Sequence, residues 1–198
     1  MRQFVKGLAF AAMLPLSACF DADITADFTN TDEVKLDAVM KMSAEIYQMA
    51  ASMGEDPCDE GIGTENSDGT YTCSMLERRS LDELIAAMDD PDNDIGIGDG
   101  VDIQELDNGN VSISFDLSEM TSDLPPPEER EQMAAMFGDS LEGHAMSLTV
   151  IGKEIVSTNG DIVNGGKAAQ LVIPLNVLFM PTPESLPTSF DVELVPGS

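Results

Sequence analysis

The chain has no tryptophan, two tyrosines and one histidine in 198 residues, and its three cysteines form no Cys-x-x-Cys motif. Cations are scarce as well, with nine Lys and Arg against 37 Asp and Glu, a formal charge of −28. A field of that sign repels nucleic acid and anionic lipid surfaces, which sets a nucleic-acid role aside and fits cations or salty surroundings better. No apolar run is long enough to cross a bilayer as a helix. Gly7–Leu16 is too short, and Leu171–Met180 is both short and interrupted by Pro174 and Asn176. No internal repeat is evident. The 42% of hydrophobic residues nevertheless suffices for a packed core, and the length suits one domain or two small ones.

What is present begins at the N-terminus. Arg2 and Lys6 supply a basic segment, Gly7–Leu16 an apolar one, and small residues lead into a cysteine at Leu16-Ser17-Ala18-Cys19. This pattern resembles the lipobox of bacterial lipoproteins. The resemblance implies cleavage before Cys19, a diacylglycerol on the Cys19 thiol and an acyl chain on its freed amine. With each buried methylene worth roughly 0.8 kcal/mol, two or more chains give near-permanent anchoring. Residues 1–18 then read as a lipoprotein signal peptide and 19–198 as a single lipid-anchored domain in the bacterial cell envelope, facing the periplasm. An ordinary secretory signal with an incidental cysteine, or an uncleaved core helix, is the alternative. Cleavage removes Arg2 and Lys6 and no acid, so the −28 of the full chain becomes −30 on the remaining 180 of 198 residues.

Lipidation of Cys19 leaves Cys58 and Cys73 as a pair in an oxidising compartment. The reading is a disulfide, which would close a loop of about 15 residues and contribute on the order of 3 kcal/mol in the chain-entropy model. A metal or redox pair is the competing idea, but no histidine lies nearby and the spacing suits neither.

Along the mature chain, Ala22, Ile24, Ala26 and Phe28 alternate with Asp21, Asp23, Thr25 and Asp27, the period of a strand with one buried face. At roughly 3.4 Å per residue, the few residues between lipid and strand hold the domain against the membrane. Asn30-Thr31-Asp32 reads as a turn, and Val34–Met42 repeats the alternation, completing a hairpin. Ser43 is placed to cap a helix through Met53. Residues 55–69 read as a glycine-rich loop holding Cys58, with Cys73 in a strand over Tyr71–Leu76. Ser80 and Glu83 have the spacing of a capping box before a helix through Met88. Val101–Leu106 and Val111–Leu117 flank Asp107-Asn108-Gly109-Asn110 as a second hairpin. Pro127 opens a helix carrying Met133, Met136 and Phe137, stopped by Gly138. Met146–Ile151, Glu154–Ser157, Ala168–Ile173, Asn176–Phe179 and Phe190–Val195 read as strands. These elements make an α+β fold, a largely antiparallel sheet with hairpins and about three helices packed on it.

Three features bear on chemistry. Gly138-Asp139-Ser140-Leu141 spells the tetrapeptide of GDSL hydrolases, but a serine nucleophile needs a positioned base, and His144, four residues on, is the chain's one histidine. The match reads as a helix stop and turn, and His144 as a surface or sheet-end residue. The loop Asp89–Asp102 offers Asp90, Asp92, Asp94, Asp99 and Asp102 as calcium ligands. Counted from Asp90 as an EF-hand, Ile95 replaces the turn glycine and Val101 the bidentate acid, so the loop reads as solvated, with a calcium site as the alternative. From Gly143 to Pro183, Glu154 and Asp161 are balanced by Lys153 and Lys167, leaving a neutral, apolar stretch in an acidic protein. That stretch and the methionine content together suggest an interior able to accept an apolar ligand.

The lipobox, the acidic hairpin directly after it (Ala22–Phe28, Val34–Met42), the helix, and the late segment Gly152-Lys153-Glu154-Ile155-Val156-Ser157-Thr158-Asn159-Gly160 together resemble the LppM-type bacterial lipoproteins, over most of residues 19–195. Typical members carry a C-terminal transmembrane helix, whereas Phe190–Ser198 reads here as strand and tail. The resemblance implies an α+β envelope domain that binds lipids or glycolipids, with no catalytic residues. The sequence therefore leads to a non-enzymatic module without a cofactor. Its partners would be the membrane, through Cys19, and a lipid or amphipathic ligand between sheet and helices. A structural or protein-partner lipoprotein is the second reading.

The charge carries a test. Crowded carboxylates oppose compaction, so the melting temperature should rise with NaCl as screening sets in. Ca²⁺ and Mg²⁺ at equal ionic strength should raise it equally. An excess for Ca²⁺ that Asp92→Asn with Asp94→Asn removes would make the acidic loop a site.

Overall fold

The structure is a computed structural model that describes residues 20–53, 58, 61–88, 100–118, 126, 128–132, 135, 141–178 and 186–197. The alternation of the first hairpin forms as read: β1 (Phe20–Asp27) and β2 (Val34–Ser43) pair antiparallel from Phe20↔Met42 to Asp27↔Lys35. Opposite charges face one another at both ends of this ladder, Asp21 against Lys41 and Asp27 against Lys35, an arrangement that favours this register. Between the strands, the Asn30 side chain accepts from the Asp32 N–H at 3.0 Å, the local bond that favours asparagine in turns.

Helix α1 (Ala44–Met53) follows β2, and β4 (Thr70–Arg79) pairs along the far side of β2. The loop read over residues 55–69 holds a strand as well. β3 (Ile62–Glu65) pairs antiparallel with β4 at Tyr71–Ser74, with all four residues exposed. A strand with no buried face leaves no alternation in its sequence, which is why it reads as loop. Helix α2 (Leu81–Met88) begins with the capping box: the Ser80 N–H donates to Glu83 Oε2 at 2.9 Å and the Glu83 N–H to Ser80 Oγ at 3.3 Å.

The second hairpin, β5 (Val101–Glu105) and β6 (Val111–Asp116), belongs to a different sheet. β7 (Ala145–Ile151) returns to the first and lies parallel to β1, an exception to the antiparallel expectation. After β8 (Glu154–Thr158) and the short β9 (Asp161–Val163) comes β10 (Ala168–Pro174). The strand read over Asn176–Phe179 is corrected: Leu175–Leu178 is one helical turn, α3. A short apolar run after a proline has no period long enough to separate the two. β11 (Ser189–Val195) completes the fold. Met133, Met136 and Phe137 lie outside the described residues, although residues 128–132 of that segment are helical as read.

The order is β3-β4-β2-β1-β7-β10-β9 in the seven-stranded sheet and β5-β6-β11-β8 in the four-stranded one. The two sheets face each other over one core. Ala26, Phe28, Val34, Leu148, Val150, Ala169 and Ile173 meet Ile103, Val111, Ile113, Phe115, Phe190, Val192 and Leu194, and α2 adds Leu81, Leu84 and Ala87. The layer over the main sheet is thus mostly a second sheet, with α2 beside it. The architecture is α+β but sheet-dominated, because a hairpin buries alternate residues equally well in one sheet or in two.

A register shift opposite Glu193 and Leu194 leaves Val156 of β8 without a partner. Ile155 then pairs with Leu194 and is 7% exposed, while Val156 is 48% exposed. The chain crosses between the sheets at Gly160, where a Cβ would lie 2.6 Å from Phe190 Cε2 and 2.7 Å from the Gln170 carbonyl oxygen. Gly160→Ala should therefore cost about 1–3 kcal/mol in denaturant unfolding. An unchanged midpoint would show that the sheets do not close here.

Candidate functional site

Cys19 is joined directly to Phe20, the first residue of the central strand of the seven-stranded sheet, and itself lies outside the described residues. One residue further, the Asp21 carboxylate crosses to β7. Both of its oxygens are 3.1 Å from His144 Nδ1, and Oδ1 accepts from the Ala145 N–H at 3.2 Å. The His144 carbonyl in turn accepts from the Leu175 N–H at 2.9 Å, where α3 begins. The side chains are 39% and 21% exposed, so this contact is partly shielded from water. His144 stands at a sheet end as the sequence suggested. Its partner, 123 residues away, had no local signal.

A second feature sits under β2 and β4. Cys58 and Cys73 form a disulfide with Cα atoms 5.3 Å apart, pinning Cys58 to β4 as expected from the cysteine count. Met42 and the two cysteines make a small buried cluster separate from the main core, with Met40, Tyr47 and Tyr71 packed against it. Tyr47 of α1 stacks on Tyr71 of β4, ring centroids 3.7 Å apart and planes at 10°. β3, the neighbour of β4 in the sheet, comes close to it: a Cβ at Gly63 would be 2.8 Å from Tyr71 Cε1 and 3.2 Å from Cys58 Sγ. Helix α1 is thus held by an aromatic stack over a methionine-bearing patch.

At the turn between β3 and β4, Asp68 accepts from Thr70 Oγ1 at 2.6 Å and the Thr70 N–H at 3.1 Å, and Lys41 Nζ lies 3.4 Å away. These bonds, the Thr70 hydroxyl first, hold the Asp68 carboxyl down from 3.8 to about 2. Glu83 is lowered too, chiefly by the Ser80 N–H and then its hydroxyl.

Of the remaining residues singled out in the sequence, Ser140 and the loop acids Asp90, Asp92, Asp94 and Asp99 lie outside the described residues. Asp102 stands on β5 and accepts from Gln104 Nε2 at 2.7 Å. Among the described residues no group of three His, Cys, Asp or Glu is placed to hold a metal ion. The neutral stretch from Gly143 supplies core: Leu148, Val150, Ala169, Ile173 and Leu175 are at most 3% exposed.

Compared with solved structures, the chain is similar to the folded domain of LppM from Mycobacterium tuberculosis, determined by NMR. The identity is 14% and the TM-score 0.46, with 96% of this chain and 97% of that one covered. No protein family and no curated protein matches the chain. At that identity and score the likeness assigns no function.

Asp68 predicts a pH dependence. Its carboxyl is lower in the folded state than in the unfolded chain, so the stability it contributes is present above 3.8 and is lost as the pH falls towards about 2. Asp68→Asn should flatten the acid side of the stability curve in that window, with no effect near neutrality on its slope. An identical curve for the variant would show that the Thr70 bonds do not form in solution.

Proposed function

We propose that this chain is a lipid-anchored, non-catalytic domain of the bacterial cell envelope, facing the periplasm and acting as a binding module for an apolar or amphipathic ligand. The observation that supports the reading is that Leu16-Ser17-Ala18-Cys19 immediately precedes, in the sequence, Phe20 of the central strand, so that a lipid on Cys19 would be a handle on the sheet itself. An acidic domain is poorly suited to hold an anionic membrane by charge, and a covalent lipid removes that need. The ligand reading shifts within the fold. The stretch over 143–183 first suggested it, but its strand residues fill the core between the sheets. The separate cluster of Met42, Met40, Tyr47 and Tyr71 under α1 is the better place, since it lies apart from the main core, Tyr47 of α1 stacks over it, and methionine adapts to irregular apolar shapes. The use of 143–173 as core also supports the second reading, a structural lipoprotein that binds a protein partner.

Two measurements test the proposal. Wild type should take up a palmitate analogue in metabolic labelling and fractionate with membranes, whereas Cys19→Ser should do neither. Absence of label from wild type would overturn the anchor. Native mass spectrometry of the domain should show a bound lipid that is lost when Tyr47→Ala loosens α1. A domain that takes up no envelope lipid would leave the protein-partner reading, to be followed by crosslinking in intact cells.

A further inference from the structure

We propose that the end of the seven-stranded sheet where β1 begins lies flat against the lipid surface, and that Asp21 and His144 form the clasp that fixes the domain in this orientation. The proposal rests on the lipid-anchor reading of Cys19. Chain direction defines the end: β1 and β7 start there, and β2 and β10 finish there, as Phe20↔Met42, Ala22↔Met146 and Pro174↔Ala145 record. The Asn66–Gly69 turn, residues 142–144 and α3 share it. At the opposite end of β7 stands Ile151, about 20 Å away at roughly 3.3 Å per residue.

A lipid anchor alone does not orient a domain, because terminal residues fray and a frayed segment becomes a flexible tether. Here there is no such slack. The Cα of residue 19 is about 3.8 Å from that of Phe20, and Phe20 is already paired with Met42. Asp21 then ties the strand sideways to β7 through the His144 ring and the Ala145 N–H. Breaking these bonds would free the first residues of β1 and let the domain swing. The surface around the anchor offers exposed Ser67, Glu142, Gly143, Pro174 and Asn176, with Val177 half-buried. Among the described residues, the charged groups at this end of the sheet include Asp68, paired with Lys41, and the exposed Glu65 and Glu142. This mixture of small polar, amide and apolar groups suits contact with the headgroups of a neutral lipid surface.

The absence of tryptophan makes the test direct, since each introduced tryptophan is the sole one in the chain. Asn176→Trp and Glu142→Trp place the probe at the anchored end, and Lys153→Trp places it at the distal end; all three positions are exposed. The full-length lipidated proteins are reconstituted into phosphatidylcholine vesicles with brominated chains. The two anchored-end probes should be blue-shifted and lose most of their emission, while Lys153→Trp keeps its own. Adding Asp21→Ala, or separately His144→Gln, should collapse that difference although the protein still floats with the vesicles. Equal quenching at all three positions, or none in protein that floats, would overturn the proposal and leave the anchor intact. An undiminished difference in both clasp variants would overturn the role of Asp21 and His144. Wild-type protein that does not float would remove the anchor, and the orientation with it.

Discussion

Burial of one face of β1 is the constraint on which the rest of the structure depends. Ile24, Ala26 and Phe28 point into the space between two sheets, and every neighbour of β1 must present its own apolar face to the same side. A slip of one residue would send Asp23, Thr25 and Asp27 into that core, at a cost no local gain could offset. The charge pairs at the two ends of the β1–β2 ladder reinforce the register but do not set it. The parallel neighbour β7 has no hairpin to fix its register. It is held by matching faces, Leu148 beside Ile24 and Val150 beside Ala26, and by the Asp21 bonds at its first residues.

The same burial explains what was legible in the chain. Where a strand has one wet and one dry face and a turn residue at its end, the sequence shows it: β1–β2 and β5–β6 stand within a residue or two of their expected limits. The capping residues of α2 and the pairing of Cys58 with Cys73 were legible for equally local reasons. β3 was not, because exposure on both sides removes the pattern, and α3 was not, because a single turn is shorter than the helical period needed to recognise it. The partition into two sheets was hidden by a different cause. Ile113 and Val192 must be buried, but alternation does not say against what.

The candidate site divides along the same line. The start of the central strand at Phe20, directly after Cys19 in the sequence, was legible from the alternation that begins there. The contact between Asp21 and His144 depends on β7 returning beside β1 after a long excursion, a matter of topology that no window of sequence contains. The methionine–tyrosine cluster under α1 is similar: Tyr47 and Tyr71 meet because β2 and β4 are neighbours.

The disulfide has a consequence beyond its contribution to stability. β4 is a long strand whose outer side would be open without β3, and β3 covers only Tyr71–Ser74. Beyond it, the edge runs through Met75 and the half-exposed Leu76 to Glu77, Arg78 and Arg79, charges that discourage another strand from docking. The covered part, Tyr71-Thr72-Cys73-Ser74, has no such guard of its own. By fastening Cys58 beside β3, the bond keeps a weak, fully exposed strand in place over an uncharged stretch of that edge. The bond thereby guards the sheet edge against strand-to-strand self-association as well as adding stability.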